Sequence, residues 1–195
     1  WSSDVCSSDL HRHAFLVQTA VALEILLFAP IRVGNLVSLD IDKHLIQVGK
    51  KLHIVIPASE VKNNVDLEFE LPDESARLIA TYIAQYRTAP ATNRALFPGK
   101  ARDTKSIGTL RGQIKKMVHD YTGLEVNPHL FRHIGAQAYL TENPGGYEVM
   151  RRVLAHKSMA TTTSFYTGLE TRQAGLHYAK TIEACRTSAK TEARR

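Results

Sequence analysis

The sequence predicts an α+β fold, mainly α-helical, carrying one small three-stranded antiparallel sheet. Three observations predict it. Apolar residues recur at helical spacing over 12–28, 107–121 and 128–139. Between the first two of these runs lie three short stretches of β character, 44–48, 52–57 and 65–71, the last alternating as VDLEFEL. No internal repeat is visible and no linker separates two sizeable domains, so residues 11–185 read as one domain, followed by a basic tail over 186–195.

Taken in order, residues 12–28 set Phe15, Leu16, Val17, Val21, Leu23, Ile25, Leu26 and Leu27 among alanines, which favours a largely buried helix over a strand. Pro30 ends it, since a proline nitrogen cannot continue the ladder. A second helix is expected over 32–39 with Leu36, Val37 and Leu39 inward; Arg32 then stands at its start, either pointing into a cleft or making a surface ion pair. In the sheet, Val65, Leu67, Phe69 and Leu71 should share the inner face. Gly49-Lys50-Lys51 marks one turn, and residues 60–64 mark another, where Asn63 and Asn64 tolerate positive φ and Lys62 sits at the lip.

Pro72-Asp73-Glu74 opens a helix that continues through Leu78, Ile79, Tyr82, Ile83 and Tyr86, with the acidic residues at the positive end of its dipole. After a loop over 88–93, Ala95-Leu96-Phe97 forms an apolar plug before a basic loop holding Lys100, Arg102 and Lys105. Ser106 is the candidate N-cap of the next helix, whose stripe is Leu110, Ile114, Met117, Val118 and Tyr121. Arg111, Lys115 and Lys116 fall largely off that stripe, on a face that either tracks a phosphate backbone or is simply solvated. Gly123 suits the end of this helix, and Pro128 the first turn of the one after it. There Leu130, Ile134, Ala138 and Tyr139 are the candidate core positions, with His129 and Arg132 on neighbouring turns of one face. A turn at 143–146, a short helix over 147–154, a Ser/Thr-rich helix start before Tyr166 and a terminal helix through Leu169, Leu176, Ala179, Ile182 and Cys185 complete the chain.

Lys and Arg number 25 against 19 Asp and Glu, a net charge of +6, which points to an anionic partner, with nucleic acid the first candidate. Cys6 and Cys185 lie near opposite ends without metal-ligand spacing and suggest neither a disulfide framework nor a zinc site, which fits a reducing compartment. The longest apolar run, 20–29, is interrupted by Glu24 and too short to span a bilayer. The first ten residues, WSSDVCSSDL, are Ser/Asp-rich and lack any basic residue, and are expected to be non-native or disordered.

Against this background six residues stand out as groups suited to phosphate chemistry: Arg32 in APIRVGNLVSLD, Lys62 in the hairpin, His129 and Arg132 in HLFRH, His156 in LAHKS and Tyr166 in TTTSFYTG. In this order they resemble the catalytic residues of the tyrosine recombinases, or phage-type integrases, over about 15–176 of the chain. The resemblance implies that Tyr166 is the nucleophile, that Arg32 and Arg132 clamp the non-bridging phosphate oxygens, and that Lys62 protonates the departing 5′ oxygen. It also implies that His129 assists deprotonation or holds the phosphate and that His156 donates to a phosphate oxygen. The physical logic is sound, since a charged phosphodiester repels nucleophiles and needs a positioned oxygen together with rigid N–H donors for its extra charge. A covalent 3′-phosphotyrosine conserves the bond energy, so the resemblance implies no cofactor, neither metal nor ATP.

By the same resemblance the partner is double-stranded DNA, with Lys105, Arg111 and Lys115 as backbone contacts. The protein is then a monomer in isolation and a homo-tetramer on recombining DNA, its terminal helix docking on a neighbouring protomer or else folding onto its own core. Its place is the bacterial cytoplasm at the nucleoid, with no membrane. Three positions depart from the family pattern: Asn35 where an acidic residue is common, Ala155 for the glycine before His156, and Pro30 where glycine is frequent. The family's N-terminal DNA-binding domain is expected to be absent, and DNA binding correspondingly weak. The competing readings are a type IB topoisomerase-like enzyme and a truncated, non-catalytic DNA-binding remnant.

Overall fold

Where the first helix stops before Pro30, the chain turns into the segment that carries Arg32. In the computed structural model the backbone is described over residues 3–99, 104–166 and 170–192, and side chains over 12–99, 104–164, 174–184 and 186. The chain divides into two units, Trp1–His133 and Ile134–Arg195.

In the first unit α1 covers Ser3–Phe28, beginning well before the expected Arg12. Val21, Ala22, Ile25 and Leu26 are fully buried, but Leu27 and Phe28 are exposed. The dense apolar run is therefore buried along a stripe rather than all round. Glu24, which interrupts that run, accepts a hydrogen bond from Ser75 Oγ at 2.6 Å and so ties α1 to α3 (Asp73–Thr81). The second helix, α2, is Val33–Val37, shorter than expected; Leu36, Val37 and Leu39 are buried as expected.

β1 (Leu45–Val48), β2 (Lys51–Ile56) and β3 (Leu67–Glu70) form the predicted antiparallel sheet in sequence order, with Leu45 opposite Ile54 and Ile54 opposite Phe69. Gly49 turns the first hairpin at φ +59 and Asn64 the second at φ +51, the latter after a 3₁₀ turn at Ala58–Glu60. Val65, expected on the inner face, precedes the strand and is exposed, because outside the ladder nothing holds it to the alternation.

The helix opened by Asp73 and Glu74 does not run unbroken to Tyr86: α3 gives way to a π-helical turn, Tyr82–Tyr86. Tyr82 is fully buried there, accepting from Gln18 Nε2 at 2.7 Å and donating to the Leu96 carbonyl at 3.0 Å. Burial pushes its phenol up to about 12, against the pull of the Gln18 hydrogen bond. The plug of Ala95, Leu96 and Phe97 is buried, and Leu96 N–H donates to the Leu39 carbonyl at 2.7 Å. In α4 (Ile107–Thr122), Ser106 Oγ accepts from Thr109 N–H at 3.0 Å, and Gly123 at φ +73 closes the other end. Leu110 and Ile114 are buried, whereas Tyr121, two turns beyond Ile114, is 73% exposed.

α5 (Pro128–Glu142) runs through the division between the units. The second unit packs Ala136 and Leu140 of α5 against Met150 and Leu154, with Tyr139, Tyr147 and Val153 around them. It includes α6 (Tyr147–Val153), α7 (Met159–Tyr166), which Ser158 Oγ caps by accepting from Thr161 N–H at 3.3 Å, and α8 (Glu170–Glu192). Leu130, Ile134 and Ala138, expected inward on α5, are exposed; Pro128, Arg132, Ala136 and Leu140 are the buried positions. On α8 every side chain over 174–184 is exposed, including Leu176, Ala179 and Ile182; Leu169 and the side chain of Cys185 lie outside the described residues. Among the described residues no helix is long and apolar enough to cross a membrane.

Candidate active site

Two chain segments of the first unit line one cavity of about 480 Å³ and bring the sequence-predicted arginines together. The first is Ile31-Arg32-Val33. Arg32 has extended backbone angles (φ −70, ψ 148) as the residue before α2, and its carbonyl accepts from Leu36 N–H at 2.9 Å. The second is the start of α5, where Asn127, Pro128, His129 and Arg132 line the same cavity. Asn127 Oδ1 accepts from the N–H groups of His129 at 2.9 Å and Leu130 at 3.3 Å. It thereby satisfies two donors that a helix start leaves unpaired. Sequence reasoning passed over Asn127, although an asparagine immediately before a proline at the first helical position is a recognisable cap signal.

Arg132 is 4% exposed and its Nη1 donates to the carbonyl of Pro30, two residues before Arg32. One guanidinium is thus anchored to the backbone turn that presents the other. Proline, where glycine is frequent in the resembling family, still supplies the carbonyl this contact needs. Arg32 is half-buried, and among the described residues its side chain has no hydrogen-bond or ion-pair partner. Arg111 and Lys115 of α4 complete the lining, and among the described residues no carboxylate is part of it. Lys115 does reach Glu125 at 3.4 Å, an exposed pair that leaves the cavity strongly positive.

This field acts on His129. Its ring lies edge-on to His133 with centroids 4.9 Å apart. Desolvation, then the positive fields of His133, Arg132 and Arg32, hold its pKa below the ordinary 6.5. The same surroundings favour the neutral imidazole, the form that can accept a proton.

The structure does not gather every expected residue here. Lys62 is exposed on the β2–β3 hairpin and is not among the residues that line the cavity, with no partner among the described residues. Lys105, expected on a DNA-facing loop, is half-buried: its ammonium donates to Gln18 Oε1 and, at 3.1 Å, to Gln113 Oε1, linking α1 to α4. His156 belongs to the second unit. The residue before it, Ala155, is buried and left-handed at φ +49, and the His156 ring nitrogen Nδ1 lies 3.0 Å from the fully buried Thr162 hydroxyl. Arg151, held by Glu148 through two contacts of 2.7 Å, donates to the His156 carbonyl at 3.2 Å. That pairing lowers Glu148 to about 2. Tyr166 ends α7, and its side chain lies outside the described residues.

The family model for the phage integrase family matches residues 7–172. The chain belongs to the phage integrase family. No curated protein matches it. Among solved structures, this integrase-family chain resembles XerA recombinase at a TM-score of 0.65 and 21% identity, over 88% of this chain and 63% of that one. It also resembles the XerH site-specific recombinase, bound to its difH substrate in a pre-cleavage complex, at 0.66 and 16%, over 89% and 51%. A lambda integrase dimer bound to a COC′ core site gives 0.52 and 15%, over 80% and 56%. These likenesses show the fold, a tyrosine recombinase catalytic fold; the chain spans between about half and two thirds of those proteins' lengths.

Proposed function

We propose that this chain cleaves and rejoins DNA strands in site-specific recombination, through a covalent 3′-phosphotyrosine. The observation that carries the reading is the pairing of Arg32 and Arg132 with His129 in one cavity that no carboxylate lines among the described residues. Two forked guanidiniums suit the non-bridging oxygens of a phosphodiester and stabilise charge as it grows in the transition state. Tyr166 Oη attacks phosphorus, the P–O5′ bond breaks, the phenolic proton passes to His129 or water, and Lys62 supplies a proton to the 5′ oxygen. His156 donates to a phosphate oxygen. Attack by a 5′ hydroxyl then reverses each step and releases the tyrosine, so that no external energy source enters.

Duplex DNA is the partner, with Arg111 and Lys115 of the cavity wall contacting the backbone and Lys105 serving the fold. The wholly exposed α8 face over 174–184 supports docking onto a neighbouring protomer in a tetramer on DNA, the isolated chain being monomeric. The site of action is wherever the cell keeps its DNA, for a bacterial enzyme the nucleoid. A nicked suicide substrate tests the reading: a covalent DNA adduct should form with the chain and vanish in Tyr166→Phe. Relaxation of supercoiled DNA without strand exchange would favour the topoisomerase-like alternative. DNA binding with no adduct, even from a full-length relative carrying this domain, would identify a non-catalytic remnant.

A further inference from the structure

We propose that Asn35 is a positioning residue that ties the Lys62 hairpin to the helix presenting Arg32, an inference that rests on the recombinase reading for its catalytic meaning. Asn35 is 7% exposed on α2, three residues after Arg32, and its Nδ2 donates to the Glu60 carbonyl at 3.0 Å. The direction of this bond is decisive, because a carbonyl can only accept. An acidic side chain at position 35 has no ionised form that could make it, so the departure from the family pattern builds a contact.

Glu60 is gripped from its other side as well. His44 is 2% exposed and its Nδ1 accepts from Asp40 N–H at 2.9 Å, which leaves Nε2 to carry the proton and donate to Glu60 Oε2 at 3.1 Å. Asp66 Oδ1 accepts from Ala58 N–H at 2.7 Å across the base of the hairpin. Beyond these anchors Val61 is buried and Asn64 N–H closes on the Val61 carbonyl at 2.8 Å. Lys62 follows Glu60 by two residues, a backbone span of at most about 7 Å. Its ammonium is therefore confined to a region set by Glu60, and Glu60 is set by Asn35. The arginine clamp and the proton donor of the reaction share one helix as their reference.

The test uses Asn35→Asp, which keeps shape and replaces the donor by an acceptor, and Asn35→Ala, which removes it without adding charge. Amide hydrogen exchange over 58–66 should rise about tenfold in both, with β1 and α4 unchanged. Unchanged exchange at 58–66 overturns the tether. On the nicked substrate both variants should slow cleavage by roughly 10- to 100-fold, the scale of a misplaced reacting group. A 5′-bridging phosphorothiolate, whose sulfur leaves without a proton, should restore most of the rate, as it should for Lys62→Ala, and Asn35→Asp should add nothing to Lys62→Ala. Slowing that the thiolate does not rescue overturns service to Lys62. A wild-type chain that forms no adduct sinks the recombinase reading and that service with it, while the tether still stands or falls on exchange.

Discussion

Replacing Arg132 by lysine separates what its charge does from what its fork does. The native guanidinium donates from Nη1 to the Pro30 carbonyl while lining the cavity, and it is 4% exposed. A lysine keeps the charge but has a single nitrogen, so it must choose between the two tasks. If the ammonium turns to the cavity, a charge-assisted hydrogen bond worth about 1.5–3 kcal/mol is lost. For a chain of 195 residues that is a fall in Tm of roughly 5–10 °C. If it stays on Pro30, stability holds and the phosphate loses a transition-state donor, a loss on the order of 10²–10³ in rate. Differential scanning calorimetry and single-turnover adduct formation on the nicked substrate, run on one preparation, read both. An Arg132→Lys protein with native Tm and a cleavage rate within threefold of wild type would refute the shared-fork argument.

Further predictions follow the same geometry. Ser106→Ala removes the cap of α4 and should cost about 1 kcal/mol, read as a drop of roughly 3 °C in Tm, with Ser106→Asp restoring it. His129 binds its proton less readily folded than unfolded, so its contribution to stability should be lost as pH falls through about 6.5; urea unfolding at pH 7.5 and 5.5 should show a smaller difference in His129→Gln than in wild type. Arg111→Ala and Lys115→Ala should each reduce the slope of log affinity against log salt by about 0.9 in DNA gel shifts, uniformly across sequences.

Order and type of the elements were legible because local rules act strongly here: proline at 30, serine at 106 and glycine at 123 each mark the end or the start of a helix. The strictly alternating VDLEFEL found its strand for the same reason, except at Val65, which lies outside the ladder. What failed were positions decided by distant partners. On α5 the apolar residues suggested one face, but the helix is rotated so that Arg132 reaches Pro30, and Leu130 and Ile134 are left exposed. Hydropathy carries no trace of a carbonyl a hundred residues upstream. Sequence alone offers Lys105 as a DNA-backbone contact because its two amide acceptors, Gln18 and Gln113, flank it only after folding. The π-helical turn at Tyr82 likewise answers to buried contacts with Gln18 and Leu96. At the site, the cavity that Arg32, His129 and Arg132 share, the lack of a carboxylate in its lining among the described residues, and the inward donation from Asn35 belong to three dimensions.

Ala155 narrows what this chain can become. A left-handed backbone at φ +49 costs any residue with a Cβ about 1–2 kcal/mol and costs branched side chains more, while burial at 2% exposure penalises polar substitutes that would otherwise tolerate the angle. Glycine and alanine are the residues left. Their codons differ by one base, so a lineage can pass between the strained and relaxed forms in a single step. In a saturation library, position 155 should therefore return an almost two-letter alphabet beside a histidine that tolerates its own neighbours on the other side far more freely.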